Sequence, residues 1–224
     1  MFDKDGTLYD FNATWGAWAH MMLMTEAAGS ASRFAALADT LGFDPEAKRF
    51  RAGSIVIAET VDVVADAILP HLPDPDKPAL MERMKAAATS VPQQEAADLR
   101  GLLQNLRGRG LKLGVATNDA EAPARAHLGR SDIVPLFDFI AGADSGFGGK
   151  PQTGQLQAFC DQTGLAAAKC AMVGDSLHDL HAGRAAGMVT VGVLTGPAPA
   201  EELAPHADVV LASVADIPAW LDRA

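Results

Sequence analysis

Two carboxylates one residue apart, Asp3 and Asp5, are followed at once by Gly6 and Thr7. Side chains alternate between the faces of a strand, so the two acids point the same way if one strand carries both. Gly6 then lets the backbone turn sharply beneath them. Such a pair can act as a nucleophile beside an acid-base partner, or as hard oxygen ligands for a divalent cation. The stretch also matches the middle of a calcium loop. In that register Met1 and Asn12 fall where the first acid and the closing Glu belong, so the calcium reading fails at both ends.

Three later segments bear on the choice. An apolar run from Leu111 ends in Thr117-Asn118-Asp119, Lys150 stands alone in Gly148-Gly149-Lys150-Pro151, and a run from Ala171 ends in Gly174-Asp175-Ser176-Leu177-His178-Asp179. Each lies where a strand or loop gives way to a helix. Open parallel sheets bind ligands beside the carboxyl ends of their strands, so these segments can converge on Asp3. Taken singly, each has a plainer explanation. Thr117 to Asp119 and Asp175-Ser176 are good helix caps, and Asp119 is read as a cap only. Lys150 alone is an ordinary surface lysine, and His20, His178 and His181 are read as surface or packing residues. Their joint order is what argues for a site.

In that order, Asp3-Lys4-Asp5-Gly6-Thr7, Thr117-Asn118, Lys150 and Gly174 to Asp179 resemble the four motifs of the haloacid-dehalogenase superfamily, in its phosphatase branch. The resemblance runs from residue 1 to about residue 190. It implies an α/β fold: a Rossmann-like parallel sheet core flanked by helices, formed by residues 1–13 and 91–224, with an all-helical cap, residues 14–90, inserted after the first motif. It implies Asp3 as nucleophile, through an aspartyl-phosphate, and Asp5 as general acid and base. Thr117, Asn118 and Lys150 are expected to hold phosphoryl oxygens. Mg2+ is expected on Asp3, the Asp5 carbonyl and Asp175, with Asp179 alongside. Within the cap, Arg51, in a cluster with Lys48 and Arg49, is a candidate contact for a second anionic group of the substrate.

The acid at position 5 separates branches of the superfamily, because dehalogenases have no alkoxide to protonate and typically lack it. The expected activity is therefore hydrolysis of a small phosphorylated metabolite, in a layout similar to phosphoglycolate phosphatases. Two alternatives stay open. A sugar-phosphate mutase of the same superfamily differs mainly in shielding the aspartyl-phosphate from water. A non-enzymatic, phospho-accepting receiver-like domain uses a similar residue set, but in another order and without the helical insert.

The elements that must position these residues follow from periodicity. Short apolar runs at 111–116, 137–141, 171–173, 190–194 and 209–211 alternate with helical lengths, which predicts a parallel sheet with right-handed crossovers. Only Met1 and Phe2 precede Asp3, so the opening strand is expected to be very short, or the native chain to begin upstream. Between Thr14 and Ser90 the pattern is helical with no convincing strand. Thr14, Ser30 or Ser32, and Ser54 are the expected caps, the last opening a helix through Leu69.

Composition narrows the partners. A net charge of −10 argues against nucleic acid and anionic membranes, and no run approaches the roughly twenty apolar residues of a membrane span. The acidic balance also repels phosphate, so the site needs local positive charge from Lys150 and a metal. The two cysteines, Cys160 and Cys170, are too few for a disulfide framework, and a reducing cytoplasm is expected. Either a monomer or a homodimer, through the apolar helix near Trp15 and Trp18, fits the sequence.

Overall fold

Phe2 pairs in parallel with Val115 on one side and Val173 on the other. Its amide donates to the Gly114 carbonyl at 2.8 Å and its carbonyl accepts from Ala116 at 2.9 Å, while Asp3 donates to Val173 at 2.8 Å. This one residue joins what would otherwise be two separate ladders. The computed structural model describes residues 1–51 and 53–223, so Ala52, within the expected cap, and Ala224 lie outside the description.

In chain order the elements are α1 (Phe11–Ala27), α2 (Ala31–Thr40), β1 (Phe43–Asp44), β2 (Arg49–Phe50), α3 (Val61–Ile68), α4 (Lys77–Ser90), α5 (Leu99–Gly108), β3 (Gly114–Ala116), α6 (Glu121–Arg130), β4 (Phe139–Ala141), α7 (Gly154–Thr163), β5 (Ala171–Gly174), α8 (Leu177–Ala186), β6 (Val189–Val193), α9 (Ala200–Leu203), β7 (Val209–Leu211) and α10 (Ile217–Leu221). Across the sheet the order is β4, β3, the Phe2 segment, β5, β6, β7, all parallel. The chain therefore winds outward in both directions from its own opening residues. In such sheets the crevice at this reversal is where ligands bind.

Two strands, β3 and β4, are shorter than their apolar runs, while β5, β6 and β7 fall within one residue of the expected bounds. Leu113 gives its amide to the Asp138 carboxylate at 2.9 Å, so the run from Leu111 enters the ladder only at Gly114. The opening segment is shorter still. Asp3 keeps one sheet hydrogen bond, Lys4 bends, and Gly6 turns at φ +80° with its amide on the Tyr9 carbonyl. The two acids thus reach the same crevice through a bend, without the alternation of a regular strand.

The insert is helical except for the two-residue antiparallel ladder of β1 and β2. Asp10, rather than Thr14, caps α1, accepting from the Ala13 amide at 2.8 Å, and Thr14 is buried inside the helix. Ser30 caps α2 as expected. Ser54 caps only a 3-10 turn, Ile55–Ile57, and α3 starts afresh after Thr60. The break falls at Ala58, whose carbonyl accepts a hydrogen bond from Asn118 at 2.7 Å.

Buried apolar residues from 11 to 91, among them Trp18, Leu37, Ile68 and Leu80, form one cluster. Two others are built around the sheet, one on Phe2, Val115, Val173 and Val191, the other on Met1, Leu156, Phe159 and Met172. Each large side chain so buried contributes about 1.5–3 kcal/mol, so the insert has an apolar store of its own. Among the described residues no helix is long and apolar enough to cross a membrane. Cys160 and Cys170 are free thiols.

Candidate active site

Lys150 reaches the crevice from the loop before α7, and its ammonium is buried. It donates to Asp3 Oδ1 at 2.5 Å and to Asp179 Oδ1 at 2.6 Å. Asp179 sits in the first turn of α8, where its other oxygen accepts from the Ser176 amide at 3.1 Å and the Ser176 hydroxyl at 2.7 Å. The helix start thus fixes one side of the carboxylate and Lys150 the other. Asp175, at the end of β5, accepts from the Thr7 hydroxyl at 3.3 Å. A Cβ at Gly6 or at Gly196 would drive into its carboxylate, so these two glycines are what let the loops close around it.

The electrostatics of this end are lopsided. Asp3, Asp175 and Asp179 each offer an oxygen within 4.8 Å of the others, all three are buried, and one ammonium serves them. Burial pushes the Asp3 carboxyl up to about 7; Lys150 opposes this, while Asp179 and Asp5 add to it. Asp175 is raised well above the usual carboxylate range by burial, then by Asp3 and Asp179. Burial pulls Lys150 down, but Asp179 and Asp3 outweigh it and hold the ammonium above the ordinary lysine value. A cluster with excess buried negative charge and only hard oxygen donors fits a divalent cation such as magnesium. Asp3 and Asp175 are the side chains best placed to hold it.

Thr117 and Asn118 follow β3 into the same crevice. The Thr117 oxygen accepts from the Asp119 amide at 3.1 Å, which leaves its hydroxyl proton to point elsewhere. Asn118 corrects the sequence expectation. Its amide nitrogen donates to the carbonyls of Ala58 at 2.7 Å and Lys150 at 2.8 Å, and its oxygen accepts from the Lys150 amide at 2.7 Å. With both N–H groups engaged by carbonyls it braces the Lys150 loop and is not free to hold a phosphoryl oxygen.

Asp5 lines the same cavity as Lys150. A second buried lysine holds it: Lys4 is fully enclosed and lies 2.6 Å from Asp5 Oδ2, 2.9 Å from His127 Nδ1 and 3.3 Å from Asp119 Oδ2. Sequence reasoning missed this group. Alternation had turned Lys4 away from the acids, Asp119 was assigned to a helix cap, and His127 lay unmarked within α6. Ala120 in fact caps that helix, and Asp119 turns inward, its other oxygen accepting from the Ala120 amide at 2.7 Å. A lysine set between the two acids was the sequence signal for it.

Residues of the insert complete the lining. Trp15, Trp18, Ile57 and Met84 face the acids across a cavity of about 70 Å³, with Glu59, Lys85 and His178 also lining it. His178 Nε2 lies 3.7 Å from Glu59, and Lys85 lies 3.4 Å from Asp144, so both contacts span insert and core. Arg51 is not brought to this cavity. Its guanidinium is exposed and pairs with exposed Asp39 at 3.2 Å, which corrects the candidate cap contact. His20 packs on Phe34 and His181 meets His206 at the surface, as expected.

A phosphoglycolate phosphatase of Rhodospirillum rubrum is 42% identical over 91 residues, 40% of this chain and 37% of that protein. The phosphoglycolate phosphatase of Yersinia pestis is 32% identical over 142 residues, 62% of this chain and 60% of its own. The chain spans about half the length of the curated relatives it matches. A crystal structure of a predicted phosphoglycolate phosphatase from Haemophilus somnus aligns over 98% of this chain and 96% of its own, with a TM-score of 0.74 at 20% identity, a likeness of fold. The family model for haloacid dehalogenase-like hydrolases matches residues 1–187, and the chain belongs to that family.

Proposed function

We propose that this chain hydrolyses small phosphomonoesters, with residues 14–90 acting as a cap over a core of residues 1–13 and 91–224. The observation that carries the reading is the meeting of Asp3, Asp5, Thr117, Lys150 and Asp175 in one lined cavity, although they come from separate turns of the fold. The separate apolar cluster of the insert supports its role as a cap. Relatives named as phosphoglycolate phosphatases, and a cavity of about 70 Å³, favour a small substrate of that kind.

In this reading the Asp3 carboxylate attacks phosphorus and forms an acyl phosphate, while Asp5 gives its proton to the departing ester oxygen. Asp5 then takes a proton from the water that attacks the acyl phosphate, which releases inorganic phosphate and regenerates Asp3. Lys150 and the Thr117 hydroxyl hold phosphoryl oxygens. Magnesium, held by Asp3, Asp175 and the Asp5 carbonyl with Asp179 beside them, would neutralise phosphoryl charge. The apolar wall of Trp15, Trp18 and Met84 keeps bulk water from the acids. The free thiols fit a reducing cytoplasm.

The test is turnover of a panel of metabolite phosphates and para-nitrophenyl phosphate, with and without magnesium. Magnesium-dependent release of phosphate, best on a small substrate, is expected. Stable self-phosphorylation from acetyl phosphate without turnover would overturn the proposal in favour of a receiver-like domain.

A further inference from the structure

A carboxylate that both donates and accepts a proton must keep one oxygen bare and hold its plane still. Asp5 Oδ2 lies 2.6 Å from the Lys4 ammonium, whereas Asp5 Oδ1 is buried and has no hydrogen-bond partner. Asp5 lines the cavity that contains Asp3. One oxygen is held by Lys4, and the other is uncommitted in a residue that lines the cavity.

Lys4 is itself held in turn. It also meets His127 Nδ1 at 2.9 Å, and Asp119 Oδ2 lies 3.3 Å away as an ion pair without a hydrogen bond. His127 Nε2 lies 2.8 Å from the Ala88 carbonyl, which only accepts, so Nε2 carries the proton and Nδ1 presents its lone pair to Lys4. Burial, then Lys4 itself, lowers the imidazole to about 4, consistent with a neutral ring. The Trp15 ring lies 5.7 Å from the ammonium. A buried ammonium is costly to keep, and an apolar side chain would fill the same space more cheaply. Its cost is repaid if it serves the chemistry.

The geometry points to Lys4 as a positioning residue that orients Asp5 for proton transfer to the leaving oxygen, with His127 and Asp119 holding Lys4 in place. When the proton passes from Asp5 to the ester oxygen, the carboxylate left behind is already paired with a cation. This role rests on the reading of Asp5 as general acid. A misplacement of about 1 Å in such a group costs on the order of 10²-fold in rate.

The experiment compares kcat/KM for an alkyl phosphate, whose alkoxide needs a proton to leave, with that for para-nitrophenyl phosphate, whose phenolate does not. Lys4→Met is expected to lose at least about tenfold more on the alkyl ester than on the aryl ester, with KM for both within about twofold, and Lys4→Arg to lie between. Equal losses on the two esters, or none, would overturn the role of Lys4. If Lys4→Met does not fold, as judged by thermal melting, Lys4→Arg decides alone, and an unchanged ratio overturns the proposal. Asp5→Asn on the same esters separates the two readings. Absence of leaving-group dependence there removes the general acid itself, whereas its presence in Asp5→Asn and absence in both Lys4 variants removes only Lys4.

Discussion

Two lysines without solvent stand on either side of the acid pair, and they are differently loaded. Lys150 serves Asp3 and Asp179 with Asp175 close by, three carboxylates to one ammonium. Lys4 serves Asp5 and Asp119, and its ammonium also meets a histidine held neutral by burial and by Lys4. The first end is short of positive charge and titrates abnormally for it. The second end sets two carboxylates against one ammonium and a neutral histidine, and burial raises its Asp119 to about 6, a milder deficit than at the first end. Similar residue types therefore serve two purposes: one end is built to receive charge, the other to hold a side chain still.

The sharpest way to break this contrast is at the charge-deficient end. Asp3→Asn is expected to cut turnover by about 10⁴-fold or more while the protein melts near the wild-type temperature, since it removes nucleophile and metal ligand but relieves buried charge. Retention of wild-type activity in steady-state assays would remove Asp3 from the mechanism.

Magnesium affinity should then reveal protons at this end only. The Asp3 carboxyl, raised to about 7 by burial, must be ionised to bind metal, so affinity is expected to weaken as pH falls from 8 to 6. Calorimetry in buffers of different ionisation enthalpy should record proton release. A pH-independent affinity with no released proton would contradict the assignment of Asp3.

The other end predicts acid sensitivity of the fold. His127 is lowered from 6.5 to about 4, so the unfolded chain binds the extra proton between those values. Its contribution is complete above about 6.5 and is lost progressively down to about 4, on the order of 3 kcal/mol in all. Asp3 and Asp119, both raised by burial, work in the opposite sense over the same range, so the comparison is with His127→Gln, in which the acid-linked loss should be smaller. Urea titrations at pH 7 and pH 5 read the difference, and identical pH dependence in the two proteins would contradict it. The smallest effect is expected at Arg51→Ala, exposed and paired only with exposed Asp39, where kcat/KM should stay within about twofold.

The meeting of Asp3, Thr117, Lys150 and Asp175 at one candidate site was legible in the sequence because several of these residues terminate apolar runs: Asp175 closes one, Thr117 and Asn118 another, and the sheet brings run ends together. The strands were legible for the same reason, though Asp138 shortened one by capturing the Leu113 amide. The Lys4 group was not legible. His127 lies within a helix and Asp119 just before one, and only the bend at Lys4 brings them to Asp5. Nor could spacing show that Asn118 would be committed to carbonyls or that Arg51 would turn outward, since both depend on where the insert settles.

Asn118 also has a consequence for timing. Among its contacts, the hydrogen bond to Ala58 joins the sheet to the insert, and the same amide holds the loop that aims Lys150. In the proposed function, movement of the insert away from the core would break that bond, at a cost on the order of 1 kcal/mol, and would loosen one tether of the Lys150 loop. On that reading, one side chain would couple departure of the product to release of the lysine.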